Sequence, residues 1–265
     1  MPHVIREGQR VAFEALGSGP DTVLLAHNLM SSRASFGAVA ARLAPRCRVL
    51  VVDLRGHGES GDTTRAFSAQ TLADDLRAVL DAVGVTRALI VGTSLGATAA
   101  ALLALAHPER VRGLVLMSAT SQAASLVARL RFAALALVVR AVGPGPVLPA
   151  ILGPLLGARY RAEEPAGVAR VAAQIRATRR DDLGRALAAW TGRPALAGQL
   201  DRITAPTRVV IGDADTACPR SRGEALAAGL HASVMVVPGA GHSVQLEAPE
   251  AVADLIAEFL QTLPT

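Results

Sequence analysis

Aromatic side chains are scarce in this sequence: they make up 3% of 265 residues, with one Trp and one Tyr. A core must therefore be packed from small aliphatic groups, and Ala, Leu and Val dominate an apolar fraction of 51%. That fraction excludes a disordered chain. Cysteine is also rare. Cys47 and Cys218 are too few and too far apart for a disulfide framework, and no Cys/His cluster has metal-ligand spacing. Neither a metal nor an organic cofactor is expected. The net charge is +5, but the 27 Lys and Arg residues are spread along the chain. Even Arg33, Arg42, Arg46 and Arg48 do not form a dense run, so the charge speaks for solubility and against a nucleic-acid partner.

Long apolar runs are missing too. The first twenty residues hold charges and no apolar stretch of signal-peptide length, which points to the cytoplasm. Residues 132–139 are apolar but only eight long, between Arg131 and Arg140. Residues 141–158 are eighteen uncharged positions that include four Gly and four Pro. A lipid-exposed helix needs about 20 apolar residues with its backbone bonded internally. Both stretches read as parts of an apolar lid, and no stable membrane insertion is expected.

What is present is alternation. Short β-branched runs at 22–27, 48–53, 87–91, 111–117, 207–211 and 233–237 are separated by helical patterns. Those patterns cover 36–43, 70–83, 95–106, 221–230 and 251–260, and a hairpin is predicted over 4–16. This order predicts an α/β fold: a mostly parallel, twisted sheet of about eight strands with helices on both faces. Residues 120–200 contain no clear strand, only Ala/Leu/Arg-rich helical pieces broken by Gly and Pro. The expected organisation is a core domain of 1–119 and 201–265 with a helical lid, or cap, inserted at 120–200. Catalytic groups belong in loops at the carboxyl ends of such strands.

The motif Gly92-Thr93-Ser94-Leu95-Gly96 follows the strand at 87–91 and opens a helix. A strand that turns into a helix within a few residues leaves its serine on a strained, exposed corner, next to N–H groups that lack intrahelical partners. Such N–H groups can hold a developing oxyanion. A serine needs a base. Of six histidines, His242 sits in Pro238-Gly239-Ala240-Gly241-His242, just after the strand at 233–237 and level with Ser94. The base needs a carboxylate to orient it. Asp215 after the strand at 207–211 is the first candidate and Asp213 the second. The loop after 111–117, Ser118-Ala119-Thr120-Ser121, offers none.

The order Ser94, Asp215, His242 is accompanied by Leu24-Leu25-Ala26-His27-Asn28 and Asp53-Leu54-Arg55-Gly56-His57-Gly58-Glu59-Ser60. Pro219 and Glu247-Ala248-Pro249 complete the pattern. Together these segments resemble an α/β-hydrolase-fold serine hydrolase of the esterase, enol-lactonase and C–C hydrolase group. The resemblance spans most of the chain outside the lid. It implies oxyanion N–H donors at Leu95, after the nucleophile, and Leu29, two residues past His27, with His57 bracing the site. It also marks a departure, because Asn28 stands where the family usually has glycine. Asn28 either presents its amide to a substrate oxygen or caps the turn.

The expected activity is hydrolysis of a carboxylic ester or lactone of a small, fairly apolar substrate through an acyl-enzyme on Ser94. Lid residues Leu126, Leu130, Phe132, Leu135, Leu148, Ile151 and Leu155 either form the pocket walls or seal the lid against the core. C–C hydrolysis of a β-diketone or dienol-type compound and acyl transfer are the enzymatic alternatives, and a ligand receptor using the same pocket is the non-enzymatic one. The expected partner is the small-molecule substrate, with the chain a monomer or homodimer.

Overall fold

The computed structural model describes residues 1–264. Eight strands run in chain order as β1 (His3–Arg6), β2 (Gln9–Leu16), β3 (Thr22–Ala26), β4 (Arg48–Val52), β5 (Ala88–Thr93), β6 (Val111–Met117), β7 (Thr207–Gly212) and β8 (Ser233–Val237). They form one sheet in the order β1-β2-β4-β3-β5-β6-β7-β8. β1 and β2 pair antiparallel, as do β2 and β4, and every later pairing is parallel. The two-residue turn between β1 and β2 is made by Glu7 (φ 54°) and Gly8 (φ 73°), the handedness that matches strand twist.

The parallel strands are apolar on both faces because both faces are covered. Along β3 and β4, Leu24, Ala26, Leu50 and Val52 join one core, while Val23, Leu25, Val49 and Val51 join the other. Helices α1 (Gly37–Leu43), α2 (Ala69–Ala82) and α3 (Leu95–Ala106) follow β3, β4 and β5. α2 begins with a reciprocal cap between Ser68 and Thr71, and its stripe of Leu72, Leu76, Val79 and Leu80 is buried. α3 is built almost wholly of Ala and Leu and is buried on all sides, which lets it lie close on the sheet centre.

Between β6 and β7 the described chain has helices joined by loops and no strand. It forms α4 (Leu126–Val142), α5 (Leu148–Leu155), α6 (Ala158–Glu163), α7 (Pro165–Ala177) and α8 (Arg180–Thr191). This segment leaves and rejoins the sheet at one neck, where the Leu196 N–H donates to the Ser121 carbonyl at 2.7 Å. It is also tied down at α8. The buried carboxylate of Asp182 accepts the N–H groups of Asp62 and Thr63, each at 2.9 Å. Among the described residues, no helix is long and apolar enough to cross a membrane. The chain ends with α9 (Arg220–Gly229), α10 (Val244–Glu247) and α11 (Pro249–Thr262). α1 and α11 cover one sheet face, through Val39, Leu43, Val252 and Ile256, while α2, α3 and α9 cover the other.

Candidate active site

Ser94 stands between β5 and α3 with φ 52° and ψ −106°, an unusual conformation for a residue with a side chain. The turn is tight. A Cβ on Gly92 would overlap the backbone of Gly96, and one on Gly96 would overlap the Ala26 carbonyl, so neither position takes another residue. The Ser94 N–H donates to the Met117 carbonyl at 2.9 Å, which anchors the corner to the end of β6.

His242 and Asp215 come together. His242 Nδ1 lies 2.9 Å from Asp215 Oδ2, with both residues buried. The other carboxylate oxygen, Oδ1, accepts the N–H groups of Ala217 (2.9 Å) and Cys218 (2.8 Å). Those two bonds fix the carboxylate's orientation, and the ionised acceptor in turn fixes His242 with Nδ1 as donor. Asp213 is not in this contact. Its carboxylate accepts the Gly239 N–H at 2.6 Å and shapes the turn before His242. Ser94 and His242 both line one cavity of about 550 Å³ under α4, α5 and α8. A hollow of about 580 Å³ between α4 and α8 contains neither residue.

Leu29 lines the cavity beside Ser94, and Leu95 is the first residue of α3. Neither N–H has a protein acceptor among the described residues. The loop carrying Leu29 is held by two buried histidines. His27 Nε2 accepts the Leu54 N–H at 3.0 Å, so its proton is on Nδ1, which donates to the Asn28 carbonyl at 2.8 Å. His57 Nε2 accepts the Met30 N–H at 3.2 Å, and its Nδ1 donates to the Arg55 carbonyl at 3.1 Å. Burial is the main cause that lowers both imidazoles below their ordinary range, well below for His27. Met30 takes a positive φ of 61°, and His57 therefore bonds to the strained residue next to Leu29.

The possible contact of Asn28 with substrate is corrected. Asn28 is fully buried and absent from the cavity wall. Its Nδ2 donates to Ser243 Oγ at 3.2 Å, and its Oδ1 accepts from Gln245 Nε2 at 2.9 Å. Gln245 in turn bonds Thr93 and Ser35. This chain of side chains joins the strand before Ser94, the 27–30 loop and the His242 loop from below. Asn28 needs no left-handed backbone, because positive φ falls on Met30 instead. Three of the candidate lid residues do not form pocket walls. Phe132, Leu135, Ile151 and Leu155 line the cavity, but Leu126 and Leu130 face solvent and Leu148 is buried elsewhere.

The structure gives residues near the site roles that the sequence motifs did not assign. Glu247 accepts N–H groups from Gly157 (3.0 Å), Gly241 (2.8 Å) and Ser243 (3.3 Å), and Ser243 Oγ donates to the Leu155 carbonyl at 3.0 Å. The His242 loop is thereby bonded to the end of α5. Ser118 lines the cavity with φ 48°, and its buried hydroxyl has no partner among the described residues. Arg131, Arg193 and Arg222 line the cavity as well, whereas no Asp or Glu does. Among the described residues no group of three or more His, Cys, Asp or Glu side chains is arranged to hold a metal ion.

The structure thus brings a strained serine at a strand–helix corner and a carboxylate-bound histidine to one cavity. In comparison with known proteins, the model of the alpha/beta hydrolase family matches residues 23–255. The chain belongs to this family and is a hydrolase. It is similar to a thermophilic esterase from Thermogutta terrifontis, with malate bound, at 28% identity and TM-score 0.94 over 100% of both chains. It shares its fold with the enol-lactonase from Burkholderia xenovorans, at 23% identity and TM-score 0.91 over 98% of this chain and 100% of that one. It is 29% identical to a 2-hydroxy-6-oxononadienedioate/2-hydroxy-6-oxononatrienedioate hydrolase of Pseudomonas putida, over 97% of this chain and 94% of that protein.

Proposed function

We propose that the protein hydrolyses carboxylic esters or lactones of small, largely apolar substrates through an acyl-enzyme on Ser94. The observation that carries this reading is the 2.9 Å contact between His242 and Asp215 at the wall of the cavity that Ser94 also lines. In this reading the helical segment 120–200 is the lid over a core of 1–119 and 201–265. His242 Nε2 takes the Ser94 proton as the serine oxygen attacks the carbonyl carbon. The N–H groups of Leu29 and Leu95 bind the oxyanion. Asp215 stabilises the imidazolium without taking its proton, and His242 passes that proton to the leaving alkoxide. Water then attacks the acyl-enzyme by the same route, releasing the acid and restoring Ser94.

The test is labelling with a fluorophosphonate, located by mass spectrometry, and turnover of short p-nitrophenyl esters by wild type and Ser94→Ala. Label on Ser94 and loss of turnover by several orders of magnitude in the mutant are expected. A folded wild type that takes no label refutes the reading. Similarity to the P. putida hydrolase favours C–C cleavage as a second reading. Loss of a dienol chromophore on mixing with the protein, faster than ester turnover, would select it.

A further inference from the structure

Arginine is ordinarily left in water or paired when buried, because an uncompensated buried charge costs several kcal/mol. This chain follows that rule at Arg55, which is 5% exposed. Its Nε and Nη2 donate to the two oxygens of Asp75 at 2.8 and 2.7 Å. Arg193 is as deeply buried, at 6% exposed, and has no such partner. Among the described residues no carboxylate oxygen lies within 4.0 Å of it. Its guanidinium sits over the Trp190 ring, 4.1 Å from the centroid, and Nη1 donates to the Trp190 carbonyl at 2.9 Å. Nε and Nη2, one edge of the fork, have no protein acceptor.

Arg193 lines the cavity of Ser94 and His242, and so does Arg222. Arg222, an exposed residue, forms no ion pair either, and no Asp or Glu lines the cavity. Two unpaired cations in one half-enclosed site repel each other. Burial, and then that repulsion, pushes the Arg193 guanidinium down to about 10. A stack on Trp190 holds the ring of charge in place but supplies no counter-charge. Leaving Arg193 buried and unpaired is costly for folding and suits an anion that arrives with the ligand.

We infer that Arg193, supported by Arg222, binds a carboxylate on the substrate, so that the preferred ester or lactone carries a free carboxylate besides the bond that Ser94 attacks. This rests on the hydrolase reading and narrows its substrate class. The free edge of a guanidinium matches the two oxygens of a carboxylate. The rest of the wall, with Leu135, Ile151 and Leu155, is apolar and suits the chain that separates the two ends. It also favours a singly charged group over a phosphate dianion, which is harder to desolvate.

Binding can be measured without turnover. Ser94→Ala protein would be titrated calorimetrically with monomethyl adipate and with dimethyl adipate, two ligands that differ in one charge. The mono-acid should bind about 10- to 100-fold more tightly, the range for a hydrogen bond to a charged group. The difference should vanish in Ser94→Ala/Arg193→Met and shrink in Ser94→Ala/Arg222→Met. Arg193→Lys, which keeps the charge but loses the fork, covers the case of a misfolded Arg193→Met and should retain only part of the preference. Equal affinity for the two ligands, or a preference that survives Arg193→Met, overturns the inference. Tighter binding of a phosphate-ended ligand of equal length overturns the choice of anion. Ester turnover by wild type reports separately on the hydrolase reading, so the two ideas can fail independently.

Discussion

Glu247 and Gly157 lie 90 positions apart in sequence, and the carboxylate of the first accepts the N–H of the second at 3.0 Å. The same carboxylate holds Gly241, the residue before His242. One side chain therefore sets both the end of α5 and the height of the proposed base. Its burial raises its pKa, with three N–H donors pulling the other way. Glu247→Ala leaves those donors without an acceptor and should cost about 2–4 kcal/mol. Thermal unfolding should detect that loss. In the ester assay kcat should fall more than KM rises, since His242 is displaced while the cavity wall remains. An unchanged melting temperature would show that the clamp is not holding.

The two buried histidines give the stability a pH dependence. His27 and His57 have lowered values in the folded protein, so the unfolded chain binds protons that the folded one refuses. Their contribution is present above the ordinary histidine value and is lost as the pH falls below it toward the folded values. Each should cost about 1.4 kcal/mol per pH unit over that window. Urea denaturation at pH 7.5, 6.0 and 5.0 measures the slope. His57→Gln should make it shallower by one proton. The same variant disturbs the Met30 bond next to the Leu29 N–H and should lower kcat by about tenfold to a hundredfold.

Asp215→Asn keeps the shape of the contact and removes its charge. An amide in that place can donate to His242 Nδ1, which favours the tautomer that cannot take the Ser94 proton. The expected loss in kcat is about 10³- to 10⁴-fold, with little change in the melting temperature or in the far-ultraviolet circular dichroism. Asp213→Asn, which touches only the Gly239 turn, should stay within a few-fold of wild type. If Asp213→Asn were the more damaging of the two, the assignment of the acid would be reversed.

Cys218 lines the cavity, yet its thiol should be inert. Burial first, and then the nearby Asp215 charge, pushes it up to about 12, and its Sγ contacts the Ala119 carbonyl at 3.3 Å. Only the thiolate is nucleophilic. Iodoacetamide at pH 8 should therefore neither label Cys218 in the folded protein nor reduce ester turnover, and labelling should appear on unfolding in urea. Rapid alkylation of native protein at pH 8 would contradict this.

The sheet and the meeting of His242 with Asp215 were readable in the sequence because local chemistry dictates them. Six apolar runs can only be covered strands, and a Gly-x-Ser-x-Gly between strand and helix admits one kind of turn. Elements were displaced by a residue or two at most where regular backbone continues past the apolar run, as at β5, which reaches Thr93. The helical segment was harder. α4 is apolar around most of its circumference, so its sequence does not say which side faces inward. Leu126 and Leu130 consequently turned out to face solvent. Arg193 was invisible for a different reason. Its interest lies in what it fails to meet in three dimensions, and spacing along a chain carries no such information. Asn28 was ambiguous because its partners, Ser243 and Gln245, are more than 200 positions away.

The helical segment 120–200 is bonded to the rest of the molecule at Gly157–Glu247 and where Asp182 meets Asp62 and Thr63, and its two ends are bonded to each other at Ser121–Leu196. Those bonds would have to break before the segment could swing away from the sheet. With them intact, substrates of the proposed reaction are expected to enter by an opening that already exists. Initial rates should then rise without a lag and show no sudden gain when substrate collects into droplets.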